Sequence, residues 1–285
     1  TVGVPMSIPG GFDQSTLDAW YGENKIGAGT LYDPEQFWYG TALSGFGIVF
    51  NRDVFRALGI PDPDAFDDLA DPRLAGWIAL ADPRQSGSVT TTFDAILSNY
   101  GFDAGWRLLR DMTANTRYFT NASTKPPIDV SMGEAAAGLA IDFYGRGQAQ
   151  SVALPGESAE ESRVGYVDPK GTASIDADPV SILRGGPNPE LAKRFVEFCL
   201  TPQAQSLWNF RARGAAPAPD AETPGPRQYE LRRMPIRRMF YEDPLKARLI
   251  DRVNPFEVAS NVKPAGWRSS IGIMMGAFAI DTANE

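Results

Sequence analysis

The run from Phe37 to Asn51, FWYGTALSGFGIVFN, is the feature that most limits how this chain can fold. It carries aromatic and β-branched residues, is bounded by glycines, and is too long for a minor edge element. It predicts a long strand or a pair of strands. A short helix opens at Asp53 and is closed by Gly59, with Pro61 behind it. Trp77–Ala81 is a short buried-strand candidate stopped by Asp82-Pro83. Beyond it Phe93, Ile96, Leu97 and Tyr100 fall at i, i+3, i+4 and i+7, the apolar stripe of a helix that Gly101 ends. A second helix runs from Asp103 with Trp106, Leu109 and Met112 inward. Ser131-Met132-Gly133-Glu134 fits a capping box opening a short helix. Leu139–Tyr144 and Arg163–Val167 predict strands, and Ala173–Leu183 an extended segment. Pro189 begins a helix with Leu191, Phe195 and Phe198 on one face, and Thr201-Pro202 starts another. Residues 214–228 form a Pro-, Ala- and Gly-rich connection, and the arginine-rich tail from Tyr229 has helical tendency. Short strands alternating with helices define an α/β fold class.

The chemistry of the side chains removes several functions. The chain has 285 residues, no histidine and one cysteine, Cys199. Histidine-dependent triads and histidine-based zinc sites are therefore excluded. Cys199 sits in the apolar run Phe195–Leu200 and is expected to be an inert, buried thiol. Asp and Glu number 35 against 27 Lys and Arg, a net charge of −8. Such a chain repels phosphate backbones, so no nucleic-acid partner is expected. No apolar stretch is long enough to span a bilayer, and no basic-then-apolar leader is present.

Three polar runs could carry chemistry. Gln85-Ser86-Gly87-Ser88 leads into the striped helix. The first amides of a helix have no internal partner and lie at the positive end of its dipole, so a glycine-containing polar lead-in lets an anion approach them. The same run could serve only as an N-cap. Asn121–Pro127 offers the hydroxyls of Ser123 and Thr124 and the Lys125 amine before a rigid Pro-Pro, or is a solvated loop. Asp142-Phe143-Tyr144-Gly145-Arg146 follows an apolar strand, and the carboxyl ends of strands are where open α/β sheets bind ligands. The Tyr144 oxygen is a hard donor suited to ferric iron. Thr41–Gly45 is not a nucleophile elbow, because Ala42 stands where that turn needs glycine, and no phosphate-loop or dinucleotide fingerprint is present.

The order of these segments is more specific than any one of them. Gly40–Asn51, Ala81–Ser88, Gly133–Gly138, Asp142–Tyr144, and Asn188–Phe198 with Gln203 and Gln205 together resemble the periplasmic solute-binding proteins of ABC importers, in the branch that includes ferric-iron, thiamine and phosphonate binders. The resemblance covers roughly residues 36–210.

That resemblance implies a two-lobed, type 2 periplasmic binding protein-like fold with Thr41–Asn51 and Ala173–Leu183 as crossing strands. Residues 1–45 would be part of lobe one, 46–172 lobe two, 173–225 the return to lobe one, and 226–285 a C-terminal helical segment. It also implies capture of a small anion or metal-anion ligand, a periplasmic or extracellular location, ABC permease membrane subunits as partners, and a monomer. Ferric iron with a synergistic anion is one expected ligand, and a phosphonate- or phosphate-type compound the other. The expected ligand contacts are Ser44, Ser86, Gly87, Ser88, Ser123, Thr124, Asp142, Tyr144 and Asp178, with Tyr144 the only metal ligand. The first position of the ferric binders' tyrosine pair is Phe143 here. Family chains also open with a strand–helix–strand unit, whereas this one opens at Thr1-Val2-Gly3-Val4, so part of lobe one is expected to lie outside it. A carboxylate-based hydrolase using Asp142, Asp176 and Asp178 is the alternative function, and a degenerate binding protein acting as an interaction module is a third.

Overall fold

The computed structural model describes residues 3–212 and 223–282. The Pro/Ala/Gly-rich connection lies outside these residues as far as residue 222. In chain order the elements are β1 (Ser7–Ile8), α1 (Gln14–Tyr21), β2 (Tyr39–Asn51), α2 (Arg52–Leu58), β3 (Ile78–Ala81), α3 (Gly87–Tyr100), α4 (Phe102–Ala114), β4 (Thr116–Thr120), α5 (Lys125–Met132), β5 (Ala137–Ile141), α6 (Asp142–Ser151) and β6 (Val164–Val167). They continue with β7 (Ser174–Val180), β8 (Ile182–Leu183), α7 (Pro189–Cys199), α8 (Pro202–Asn209), β9 (Met234–Pro235), α9 (Pro255–Val258) and α10 (Arg268–Met275). The chain divides into two compact units, one of Thr1–Ser44 with Asp176–Phe256, the other of Gly45–Ile175 with Glu257–Glu285. The expected tail segment 226–285 is thus parted between the units. It is not one helical body, because Pro235, Pro244 and Pro255 interrupt it and leave short 3-10 turns at Arg238–Tyr241 and Lys246–Arg248.

In the Gly45–Ile175 unit the strand order is β4-β3-β5-β2-β6. β3 runs parallel to both β4 and β5, while β2 is antiparallel to β5 and β6. All four residues of β3 are buried, as a central strand covered on both faces requires. Alternation sorts the side chains: Ile48, Ile78 and Leu80 join Phe93, Ile96 and Leu97 of α3, Leu109 and Met112 of α4, and Ile271 and Met275 of α10. Val49, Ala79 and Ala140 point into a second core with Val130 of α5 and Ala149 of α6. The striped helix α3 is held by its apolar face, each of Phe93, Ile96 and Leu97 contributing about 1.5–3 kcal/mol by leaving water.

Two expectations fail here. Ser131–Glu134 ends a helix rather than opening one: α5 begins at Lys125, tolerates Pro126 and Pro127 in its first turn, and is closed by Gly133 in the left-handed region at φ 75°. The strand expected over Leu139–Tyr144 stops at Ile141, and Asp142 begins α6.

The other unit is smaller in its sheet content. β1 pairs antiparallel with β8, and β9 pairs with the first part of β2 through Ala42–Pro235 and Leu43–Met234. Phe12, Trp20, Tyr21 and Tyr39 form a ring cluster. The buried Gln205 side chain of α8 donates to the Thr41 and Cys199 carbonyls and accepts from the Ile236 amide. The arginines of the tail are pinned individually: Arg232 pairs with Asp251, Arg237 reaches the Leu200 carbonyl, and Arg238 the Tyr21 carbonyl. Leu191, Phe195 and Phe198 do share one face of α7, and that face is exposed at 60%, 57% and 50%. Cys199 is half-buried, and burial pushes its thiol pKa up, which keeps it unreactive at neutral pH.

Candidate functional site

The carboxyl ends of three parallel strands converge on one rim of the Gly45–Ile175 unit. β3 leads to α3, β4 to α5 and β5 to α6, so three helix N-termini gather where β4, β3 and β5 lie side by side. The Asp82 amide, just past β3, donates to the Thr120 carbonyl at the end of β4 (2.8 Å), fixing the two exits together. Six of the nine expected contact residues sit on polypeptide leaving these strands within a few residues of the rim, and Ser88 makes a seventh.

The turn into α3 is tightly built. The Asp82 carbonyl accepts from the Gln85 and Ser86 amides at 2.9 and 2.8 Å. Its carboxylate holds the Arg84 amide and guanidinium, and Arg84 reaches on to Asp281 at 2.9 Å. Ser86 is the N-cap, 6% exposed, its hydroxyl accepting from the Val89 amide at 3.4 Å. Ser88 lies 3.0 Å from it, hydroxyl to hydroxyl, and the Thr90 hydroxyl donates to the Pro83 and Ser86 carbonyls. Among the described residues the Gly87 and Ser88 amides have no acceptor. Gly87 is exposed, and Arg268 of α10 donates to its carbonyl at 3.1 Å. Ser86 therefore caps the helix, while Gly87 and Ser88 present two open N–H groups at the positive end of its dipole.

The start of α5 offers a different chemistry. Pro126 and Pro127 carry no N–H, so its first turn has few amides to give. The donors are instead side chains: the Ser123 and Thr124 hydroxyls have no hydrogen-bond partner among the described residues, and the Lys125 amine pairs with Asp129 while lying 4.8 Å from the Tyr118 ring centroid. Burial raises the Asp129 carboxyl pKa, with Glu134 adding to the effect.

At α6 the structure corrects the sequence reading. Asp142 is fully buried. Its carboxylate meets the Arg146 guanidinium at 3.1 Å, and Arg146 in turn meets Asp168 at 2.7 Å. The Tyr166 hydroxyl donates to Asp168 at 3.0 Å. The Phe143 amide donates to Asp142 at 2.8 Å and the Gly45 amide also hydrogen-bonds it. Loss of water pushes the Asp142 carboxyl up to about 7; Arg146 opposes this and Asp168 reinforces it. The Asp142 carboxylate, expected at the ligand, is thus engaged inside the fold by a guanidinium and two backbone amides. Tyr144 is half-buried against Phe143, ring centroids 4.3 Å apart, and its hydroxyl has no partner among the described residues.

Ser44 and Asp178 belong to the other unit and are brought together there. The Ser44 hydroxyl donates to Asp178 at 2.7 Å, and Arg233 donates to Ser44 at 3.0 Å and pairs with Asp178. The hydrolase alternative loses its basis: Asp142 is sealed and ion-paired, and its nearest carboxylate neighbour, Asp168, is joined to it through a guanidinium rather than facing a shared substrate space. Among the described residues no three acidic or cysteine side chains are grouped to hold a metal ion. With Asp142 buried in an ion pair, Tyr144 stands as a single phenol at the rim.

Sequence reasoning missed Asp168, Tyr166, Arg84, Arg268 and Arg233, and it named Arg146 within the run Asp142–Arg146 without giving it a role. The Asp142–Arg146 spacing of four was a readable signal once a helix is drawn there. The others have no local signature.

The chain belongs to the bacterial extracellular solute-binding protein family, whose sequence model matches residues 18–240. It is similar to an uncharacterized protein of Haemophilus influenzae, 29% identical over 166 residues, covering 58% of this chain and 45% of that one. It is also similar to the phosphoglycerate transport regulatory protein PgtC of Salmonella typhimurium, 23% identical over 209 residues, 73% of this chain and 49% of that one. The chain therefore spans about half the length of the curated relatives it matches. Among solved structures, the periplasmic binding protein AfuA of Actinobacillus pleuropneumoniae with fructose-6-phosphate bound matches at TM-score 0.63 and 18% identity, over 96% of this chain and 77% of that one. Apo ferric ion-binding protein A of Pasteurella haemolytica matches at 0.63 and 14%, over 96% and 76%. FutA of Trichodesmium in complex with iron and citrate matches at 0.62 and 18%, over 96% and 77%. The fold is that of the periplasmic binding proteins. No described helix is long and apolar enough to cross a membrane.

Proposed function

We propose that the chain is the solute-capturing part of an ABC import system, working in the periplasm or outside the cell as a monomer and delivering a small anion to permease subunits. The observation that carries this reading is the pair of open amides at Gly87 and Ser88, on a helix whose cap is already satisfied by Ser86. Ser88, Ser123, Thr124 and Tyr144 add hydroxyl donors at the same rim. Amide and hydroxyl donors without a cluster of anionic ligands suit an oxyanion more than a bare metal ion. A phosphorylated small organic acid or sugar is the favoured class, in keeping with the phosphoglycerate and fructose-6-phosphate named for two relatives. Ferric iron held through an anion is the second reading, supported by the Tyr144 phenol and the iron–citrate neighbour.

The test is a thermal-shift and calorimetric panel of 3-phosphoglycerate, hexose 6-phosphates, inorganic phosphate, phosphonates and ferric citrate. A stabilising, saturable response to a phosphorylated compound is expected. No response to any member sinks the reading, and a response to ferric citrate alone, lost in Tyr144→Phe, moves it to iron.

A further inference from the structure

α10 reaches the first turn of α3 through one side chain. Arg268, the first residue of α10, donates from Nη2 to the Gly87 carbonyl at 3.1 Å and from Nη1 to the Thr91 hydroxyl at 2.7 Å. A Cβ added at Gly87 would stand 3.5 Å from Nη2. A Cβ sits about 2.5 Å from its own amide nitrogen, so Nη2 lies within about 6 Å of the open Gly87 amide. The guanidinium has N–H groups to spare beyond these two bonds, and among the described residues they meet no acceptor. Arg268 is exposed, so it brings the turn a hydrated charge as well as two hydrogen bonds.

The carboxylates of this region act on other partners. Asp82 and Asp281 both hold Arg84. Asp94, two turns further along α3 and 8% exposed, accepts the Trp267 amide at the start of α10. It attracts Arg268 electrostatically, and among the described residues no carboxylate forms an ion pair with that guanidinium. α3 and α10 thus grip each other reciprocally: Asp94 holds the N-cap residue of α10, and Arg268 holds the first turn of α3. The grip sets the guanidinium beside the Gly87 amide whatever anion is present. A cation fixed there attracts a doubly charged anion twice as strongly as a singly charged one of the same shape.

We propose that Arg268 is a specificity-determining residue of solute capture: its charge, placed beside the Gly87 amide by α10, makes the rim prefer a doubly charged tetrahedral oxyanion to a singly charged one. This rests on the rim being an anion site. The ligand class it selects is a terminal phosphate monoester or another dianion, in preference to a phosphodiester or a simple carboxylate. At about 6–8 Å in a water-like dielectric, a unit cation changes affinity by about two- to threefold per unit of ligand charge.

The experiment titrates sulfate and perchlorate into the intact chain at neutral pH and fixed ionic strength, following the Gly87 and Ser88 amide resonances. The two anions are tetrahedral, differ in charge, and take up no proton near neutrality. Wild type, Arg268→Gln and Arg268→Lys are compared, with a urea titration of each to check folding. In Arg268→Gln, affinity is expected to fall by about threefold for perchlorate and about ninefold for sulfate. In Arg268→Lys the ratio between the two anions returns to the wild-type value, even where both bind more weakly. Equal losses for the two anions in Arg268→Gln, or a ratio in Arg268→Lys no better than in Arg268→Gln, overturn the specificity role and leave the anion site standing. A wild-type protein that binds perchlorate more tightly than sulfate overturns it without recourse to the variants. Gly87 and Ser88 resonances that respond to neither anion in the wild type overturn the anion reading on which the proposal rests.

Discussion

Gly87→Asp separates a binding site from a helix cap more cleanly than any serine change at this run. A side chain added at Gly87 meets only the Arg268 guanidinium, 3.5 Å away, and the backbone there is in an ordinary conformation. The residue occupies the first helical position, where a carboxylate interacts favourably with the dipole by about 0.3–1 kcal/mol. Folding stability should therefore hold or rise slightly. Solute binding should fall sharply, because the new carboxylate lies where the anion needs the Gly87 amide. At a separation of about 5 Å and an effective dielectric near 20, two like charges repel by about 3 kcal/mol. Salt screening at an exposed rim reduces this, so a loss of at least about tenfold in affinity is expected. Calorimetry with the solute identified by the panel, run beside a urea titration and the control Gly87→Ala, measures both quantities. An affinity within twofold of wild type at unchanged stability would refute the placement of the anion at the start of α3. A large loss of stability would refute the structural argument that the site has room.

The two serines should part company: Ser86→Ala removes the cap and costs about 1 kcal/mol of stability in urea denaturation, whereas Ser88→Ala stays within roughly 0.5 kcal/mol of wild type while weakening binding. Arg146→Met leaves Asp142 and Asp168 buried without their cation and should cost roughly 3–5 kcal/mol, part of it recovered in the double variant with Asp142→Asn. Because the Asp142 carboxyl is raised to about 7 from a usual value near 4, the folded chain binds an extra proton between those pH values. The stability this group contributes is full below about pH 4 and is lost as pH rises towards about 7, by no more than about 4 kcal/mol, and Asp142→Asn should flatten that slope in pH-dependent denaturation.

How far the sequence could be followed depended on whether the deciding forces were local. The apolar stripe of α3 and the glycine-bounded run of β2 carry their own periodicity, and both elements stand where the sequence puts them. α6 does not. Gly145 and Gly147 depress its helical propensity, and the reason for Gly145 is tertiary: a Cβ there would lie 2.3 Å from the Tyr166 ring. The same distance in sequence hides the role of Asp142. Its partner Arg146 was four residues away, but Asp168 reaches the pair from beyond β6. Ser131-Met132-Gly133-Glu134 satisfied the capping-box pattern while Gly133, in the left-handed region, closed the preceding helix instead. At the rim, glycine and serine spacing pointed to α3, but nothing local distinguished Ser86, which caps, from Ser88 and Gly87, whose amides stay open. Leu191, Phe195 and Phe198 made a correct helical stripe, and their exposure could not be read from the stripe.

The unit that carries the rim is not continuous in the chain, and that has a consequence for how it is made. Its core closes only when Ile271 and Met275 pack against α3 and α4, and the turn into α3 is finished by Arg268 and Asp281. Between Ile175 and Glu257 the ribosome must first produce the whole Asp176–Phe256 insertion, a delay of roughly 4–16 s at usual synthesis rates. Throughout that interval the nascent chain carries an open hydrophobic seam on α3 and α4, a natural point of engagement for chaperones that hold unfolded chains. The turn into α3 is in this way completed only after translation has passed Asp281, so a product that stops earlier lacks the contact that holds Arg84 from outside that turn.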